Sequence, residues 1–196
     1  EDDSYEVTYV DIDQDFNPDI VADVLDLTWE DLPDADIILA SPPCNAFTIL
    51  RVGECWEKDH EGLYHPIDDF ARTSIQLVHH TVGLIHSIDP DWWLMENPRA
   101  MMRVIYRFPD YEVWYCQYGA SYAKPTDLWG RMPGSFESKK CKNQNPNCDH
   151  IPAPAGSKTG IQGELSSEER AKVPYGLSKA IKESIENPEP MQQTLI

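Results

Sequence analysis

Positive charge is what this sequence has least of. Against 34 Asp and Glu stand only 16 Lys and Arg, so the 196-residue chain carries a formal charge of −18 at neutral pH. A nucleic-acid binder gains much of its affinity by neutralising phosphates, and a surface this acidic gives up that general attraction. Two readings follow: a surface adapted to high salt, as in haloarchaea and their viruses, or a protein that does not bind nucleic acid. The motifs described below favour the first. Long apolar runs are also missing. No segment approaches the roughly 20 apolar residues that span a bilayer, and no basic-then-apolar leader is visible, which predicts a cytoplasmic protein, in the host cytoplasm if viral. The five cysteines are odd in number and irregular in spacing, which excludes a disulfide framework and predicts a reducing compartment. The ten glycines never fall as Gly-x-Gly, so no turn built to cradle a cofactor is legible. A hydrophobic content of 41% is enough for one domain with a sizeable core.

The residues that are present are organised around Ala40-Ser41-Pro42-Pro43-Cys44-Asn45-Ala46-Phe47-Thr48, which follows the apolar run Ile37-Ile38-Leu39. The run predicts a buried strand. Neither proline can donate to a ladder, so the chain must leave the sheet at Pro42. Cys44 then sits just past the C-terminal end of a strand, where open α/β sheets hold their ligands. A thiol there serves as a nucleophile when a neighbour or a helix N-terminus lowers its pKa, although a lone cysteine is more often a small buried apolar residue. A second stretch, Asp91-Trp92-Trp93-Leu94-Met95-Glu96-Asn97-Pro98, predicts another short strand closed by Glu96-Asn97-Pro98.

Ser-Pro-Pro-Cys at 41–44 followed by Glu-Asn-Pro at 96–98 resembles the cytosine-C5 methyltransferases, in the small phage or archaeal-virus form. The Ser-Pro-Pro-Cys…Phe-Thr wording is also similar to the branch that methylates tRNA. The likeness runs from about Val7 to about Glu186, with several motifs in family order. It implies an α/β fold, a Rossmann-like S-adenosylmethionine-dependent methyltransferase sandwich. Cys44 would be the nucleophile and Glu96 the acid that engages the cytosine ring. The cofactor would meet Asp11 at its ribose, Ile12 and Asp23 at its adenine, and Pro43. Read without the resemblance, each aspartate is equally a turn or cap residue in an Asp-rich chain. In the family a first strand and a Gly-rich turn come before this region, whereas the sequence opens at Glu1-Asp2-Asp3 on what resembles the second strand. The expectation is that such a strand belongs to the natural protein, and that Val7–Val10 does not lie beside Ile37–Ala40. A continuous sheet there would favour a non-catalytic relative, a binding protein.

The remaining segments fill out this picture. Residues 45–66 predict a polar loop at the family's base-covering position, where Asn45, Phe47 and Arg51 would meet nucleic acid. Asp68 to Ile88 predicts a helix, with Phe70, Ile75, Val78, Val82 and Ile85 at helical spacing and no role for His79 or His80. Arg99 to Arg107 predicts a short helix, and Tyr111 to Gly119 a strand and turn. Tyr122-Ala123-Lys124-Pro125-Thr126 is similar to the family's Gln-x-Arg-x-Arg segment, which implies a catalytic cation at Lys124 and a nucleic-acid contact at Thr126. A lysine is a point charge without the bidentate fork of arginine, and a surface lysine in a turn is the plainer alternative. Residues 131–163 predict a short target-recognition-like insertion into a core made of 1–130 plus 164–190. Its Lys139, Lys140, Lys142 and Lys158 form the one phosphate-contacting patch. Cys141, Cys148 and His150 are zinc-ligand types, but C-x6-C-x-H supplies three ligands, leaving Cys116 or Cys55 as the fourth. Ser166 to Arg170 reads as a capped turn, and Tyr175 to Glu186 as a terminal helix. The implied activity is methyl transfer to C5 of cytosine in DNA, by a monomer with no membrane contact. A methyltransferase for exocyclic amines would need no cysteine and would leave Glu-Asn-Pro unexplained.

Overall fold

The computed structural model describes residues 4–48, 51–153, 166, 169 and 171–189. In chain order its strands are β1 (Val10–Asp11), β2 (Ile20–Val21), β3 (Ile37–Ala40), β4 (Trp56–Lys58), β5 (Tyr64–Pro66), β6 (Trp92–Pro98), β7 (Tyr111–Trp114) and β8 (Pro125–Arg131). Its helices are α1 (Asp69–Ile88), α2 (Met102–Ile105) and α3 (Tyr175–Glu186). The main sheet runs β3-β6-β8-β7, with β3 and β6 parallel and β8 antiparallel to both its neighbours. The fold is therefore α/β with a mixed sheet.

β6 is the middle of the core because its residues bury both ways. Trp93 and Met95 face one side with Ala71, Val78 and Ile85 of α1, while Leu94 faces the other with Leu177 and Ile181 of α3. A near-continuous apolar run is the signature of a strand covered on both faces. Each fully buried side chain of this size contributes about 1.5–3 kcal/mol of burial free energy. Helix α1 begins where Asp68 accepts a hydrogen bond from Ala71 N at 2.8 Å, and ends at Asp89 with φ +53°. The register of β6 on β8 leaves no space at Gly130, where a Cβ would sit 2.0 Å from the carbonyl oxygen of Trp93.

β1 and β2 form a separate parallel pair of two rungs, Val10↔Ile20 and Asp11↔Val21. Among the described residues no ladder joins this pair to β3, so Val7–Val10 does not lie beside Ile37–Ala40, as expected. Tyr5–Val10 is rich in strand-forming residues, yet the strand is confined to Val10–Asp11, because only these residues find a partner strand. The 45–66 connection is more ordered than its polar composition suggests. Trp56–Lys58 and Tyr64–Pro66 pair as a hairpin, closed where Asp59 accepts from Glu61 N and Leu63 N. The helix expected over Arg99–Arg107 shortens to α2. Residues 132–153 hold no strand or helix; Met132 and Phe136 pack into the core, and an isolated bridge joins Ile151 to Tyr122. No helix among the described residues is long and apolar enough to cross a membrane.

Candidate active site

The strands converge on one edge of the sheet. In the parallel register Ala40 pairs with Met95, so the chain past β3 and the chain past Met95 emerge side by side. Here Asn97 Nδ2 donates to the carbonyl oxygen of Pro42 at 3.0 Å, a buried tie between the Pro-Pro-Cys turn and the Glu-Asn-Pro strand. Cys44 is half-buried and opens the 3₁₀ turn Asn45–Phe47, its own carbonyl accepting from Phe47 N at 2.9 Å. Two further bonds pin the same turn: Trp56 Nε1 donates to Ala46 O at 2.6 Å, and Met101 N donates to Phe47 O at 2.9 Å. The stop at Pro42 thus produces a held turn carrying a thiol.

β7 and β8 bring two more side chains to the edge. Pro98 pairs with Thr126, and Trp114 with Pro125, so Tyr115 and Lys124 arrive next to Glu96. Tyr115 OH donates to Glu96 Oε1 at 2.9 Å. Lys124 Nζ lies 3.8 Å from the same oxygen and 4.5 Å from the Tyr115 ring centroid. Lys124 is 5% exposed, which rules out the plain reading of a surface lysine. Desolvation raises the Glu96 pKa above the ordinary carboxylate range, against the opposing pull of Lys124 and of the Tyr115 hydroxyl. Burial, with the Glu96 charge beside it, pushes the Tyr115 phenol up as well, so this hydroxyl stays a donor. The arrangement can present a neutral carboxylic acid that keeps a 16% opening to solvent.

Behind this edge lies an ionic brace that sequence reasoning missed. Arg103 grips both oxygens of buried Asp127, and Glu112 Oε1 accepts from Arg99 at 2.6 Å and from Arg103 at 2.8 Å. Lys140 pairs with the other Glu112 oxygen, and this bond, followed by Arg99, holds the Glu112 pKa down at about 2. The only sequence signal was the i,i+4 spacing of Arg99 and Arg103.

The remaining anticipated residues divide. Asp11 accepts from Tyr9 OH and Asp13 N, and Asp23 accepts from Leu25 N as a cap, so both do the local work of turn aspartates. Both also lie at the C-terminal end of the β1–β2 pair, and Ile12 beside them is 66% exposed. Pro43 and Asn45 are exposed. Phe47 is a correction: at 2% exposure it stacks on Trp56 in the core and presents no surface to nucleic acid. Its period in the 3₁₀ turn carries it inward. Thr126 is likewise buried, at 1%, so it cannot be a surface contact either. Arg51 pairs with Glu54 at 2.8 Å and lies over the Phe70 ring. In the basic patch Lys140 is paired with Glu112, Lys139 lies over the Tyr118 ring, and Lys158 is outside the described residues. Cys141, Cys148 and His150 come together with Cys116, while Cys55 packs elsewhere in the core.

Residues 7–104 match the family described as C-5 cytosine-specific DNA methylase. A "Probable DNA (cytosine-5)-methyltransferase" of Frog virus 3 (isolate Goorha) is 30% identical over 156 residues, covering 72% of this chain and 67% of that protein. The match spans the turn at Cys44 and the strand at Glu96, the two elements that meet at the sheet edge. The chain belongs to the C-5 cytosine-specific DNA methylases.

Proposed function

We propose that this protein transfers a methyl group from S-adenosylmethionine to C5 of cytosine in DNA through a covalent Cys44 intermediate, on a Rossmann-like methyltransferase sandwich. The observation that carries the reading is that the segments bearing Cys44 and Glu96 follow directly on the last paired residues of two adjacent parallel strands, tied by the Asn97–Pro42 hydrogen bond.

C5 of cytosine is too electron-poor to attack an electrophilic methyl group unaided. Cys44 adds as thiolate to C6, forming a C–S bond, while Glu96 gives its proton to N3, and the ring becomes an enamine nucleophilic at C5. The raised pKa of Glu96 suits it to this step, because the acid must still hold its proton near neutral pH. Tyr115 and Lys124 hold the carboxyl in place and stabilise the anion once the proton has left. Loss of the C5 proton to a base then expels Cys44 and restores the aromatic ring. A target inside a duplex must first be flipped out of the stack.

Asp11 and Asp23 each keep carboxylate lone pairs beyond their local bonds, and Ile12 offers an uncovered apolar face beside them. This donor set fits the adenosine half of the cofactor: Asp11 for the ribose hydroxyls, Ile12 and Asp23 for the adenine, with Pro43 past the C-terminal end of β3. When bound, S-adenosylmethionine supplies the electrophilic methyl group.

An oligonucleotide carrying 5-fluorocytosine tests the chemistry, since fluorine cannot leave as a proton does and the adduct accumulates. Wild-type protein with cofactor should form a complex resistant to denaturing gels, and Cys44→Ser should form none. Equal trapping by Cys44→Ser would remove the assignment. Equal or better trapping on a tRNA substrate would move the activity from DNA to RNA, and no trapping on either would favour the binding-protein alternative.

A further inference from the structure

A second cluster stands one residue beyond the active-site edge. Cys116 follows Tyr115 in the 3₁₀ turn Tyr115–Tyr118, and the irregular segment 141–150 folds back onto it. The ligand atoms of Cys116, Cys141, Cys148 and His150 all lie within 4.8 Å of one another. His150 Nδ1 is 3.9 Å from Cys141 Sγ. Two sulfurs about 2.3 Å from a tetrahedral zinc stand about 3.8 Å apart, and a sulfur and a nitrogen slightly closer, so the cluster has nearly the size of an occupied site.

The surroundings fit thiolates better than thiols. Gln117 Nε2 approaches Cys148 Sγ at 3.3 Å and Asn145 Nδ2 approaches Cys141 Sγ at 3.2 Å, both as donors aimed at sulfur. Such N–H···S bonds are the outer contacts that hold thiolate ligands and spread their charge. His150 is 5% exposed, and its Nε2 is buried with no hydrogen-bond partner among the described residues. A buried imidazole whose Nδ1 stands at a cluster of three sulfurs is placed as a metal ligand would be. The segment itself has no strand or helix to keep it folded, and small irregular segments of this kind are commonly held by a metal.

We propose that Cys116, Cys141, Cys148 and His150 bind one zinc ion in a closed Cys3His site. Binding displaces one proton from each of the three thiols, and the imidazole binds neutral, so the site carries a net charge of −1 that the Gln117 and Asn145 amides face. No coordination position is left for water, so the ion is structural. It ties segment 141–150 to the turn that begins at Tyr115, the residue whose hydroxyl holds Glu96, and so braces the catalytic edge from outside. This holds whether or not the methyl-transfer reading above is correct, because it rests on a different set of residues.

The full chain, expressed with zinc and dialysed against metal-free buffer, should retain one zinc per chain by inductively coupled plasma mass spectrometry. Cys141→Ser and Cys148→Ser should lose it, and Cys55→Ala should keep it. Because those variants could fail to fold, wild-type protein reconstituted with cobalt provides a second reading. Tetrahedral ligand-field bands with a thiolate charge-transfer band are expected, and a strong chelator should lower the melting temperature by several degrees. Folded wild-type protein that holds well under one metal and shows no such bands would overturn the proposal. So would a disulfide among these cysteines, revealed by fewer than five titratable thiols in denaturant without reductant.

Discussion

At the scale of single residues, the carboxyl of Glu96 makes the most specific demand. Its folded pKa lies above its ordinary value, so the folded protein holds this proton more tightly than the unfolded chain does. Stability from this group is therefore full below the ordinary carboxylate range and falls as pH rises through the raised value. Glu96→Gln mimics the protonated form at every pH. Because desolvation outweighs the Lys124 attraction, at neutral pH the variant should melt higher than wild type, while turnover drops by about 10²-fold or more because the proton for N3 is gone. Melts and methyl-transfer rates on the same preparation check this. A variant that unfolds early would mean Glu96 is an ion-pair residue in the fold and not an acid held ready. Glu96 and Cys44 were legible in the sequence because their neighbours are prolines and apolar strand residues with few other uses. Tyr115 was not, since one tyrosine among nine carries no mark of the carboxylate it will meet across two strands.

At the scale of elements, helices α1 and α3 lie where helical spacing placed them, and β3 and β6 where apolar runs met prolines. The failures come where partners decide the outcome. Tyr5–Val10 has strand composition but only two rungs of ladder, and the 45–66 hairpin depends on an Asp59 turn within polar sequence. The brace of Arg99, Arg103, Glu112, Asp127 and Lys140 joins residues from the β6–α2 connection, α2, β7, β8 and the irregular segment 132–153, and no local pattern foretells it. Its central acid has a folded pKa of about 2 against an ordinary 4.5, so its stabilisation is present above 4.5 and is lost as pH falls toward 2. Glu112→Gln should cost about 2 kcal/mol at pH 7, since three cations lose a charged partner. The deficit should shrink steadily as pH falls from 4.5 toward 2. Urea denaturation at a series of pH values measures it, and a deficit independent of pH would assign the loss to packing.

At the scale of the molecule, the charge of −18 opposes both compactness and approach to a polyanion. If the surface is adapted to salt, as the composition suggests, the melting temperature should rise between low salt and molar potassium chloride as screening relieves self-repulsion. A flat or falling curve would remove that reading. The division of the sheet has its own consequence. β6 is bonded on both sides and covered by helices on both faces, whereas the β1–β2 pair is two rungs long and, among the described residues, joined by no ladder to the main sheet. Opening that pair breaks few bonds, so the amides of Ile20 and Ala22, which donate to Tyr9 and Asp11, should exchange with solvent deuterium orders of magnitude faster than those of β6. If Asp11 and Asp23 hold the adenosine half, S-adenosylhomocysteine at about 100 times its Kd should slow those amides up to about 100-fold and leave β6 unchanged. The end of the protein that reads the cofactor would then be the end that the cofactor freezes.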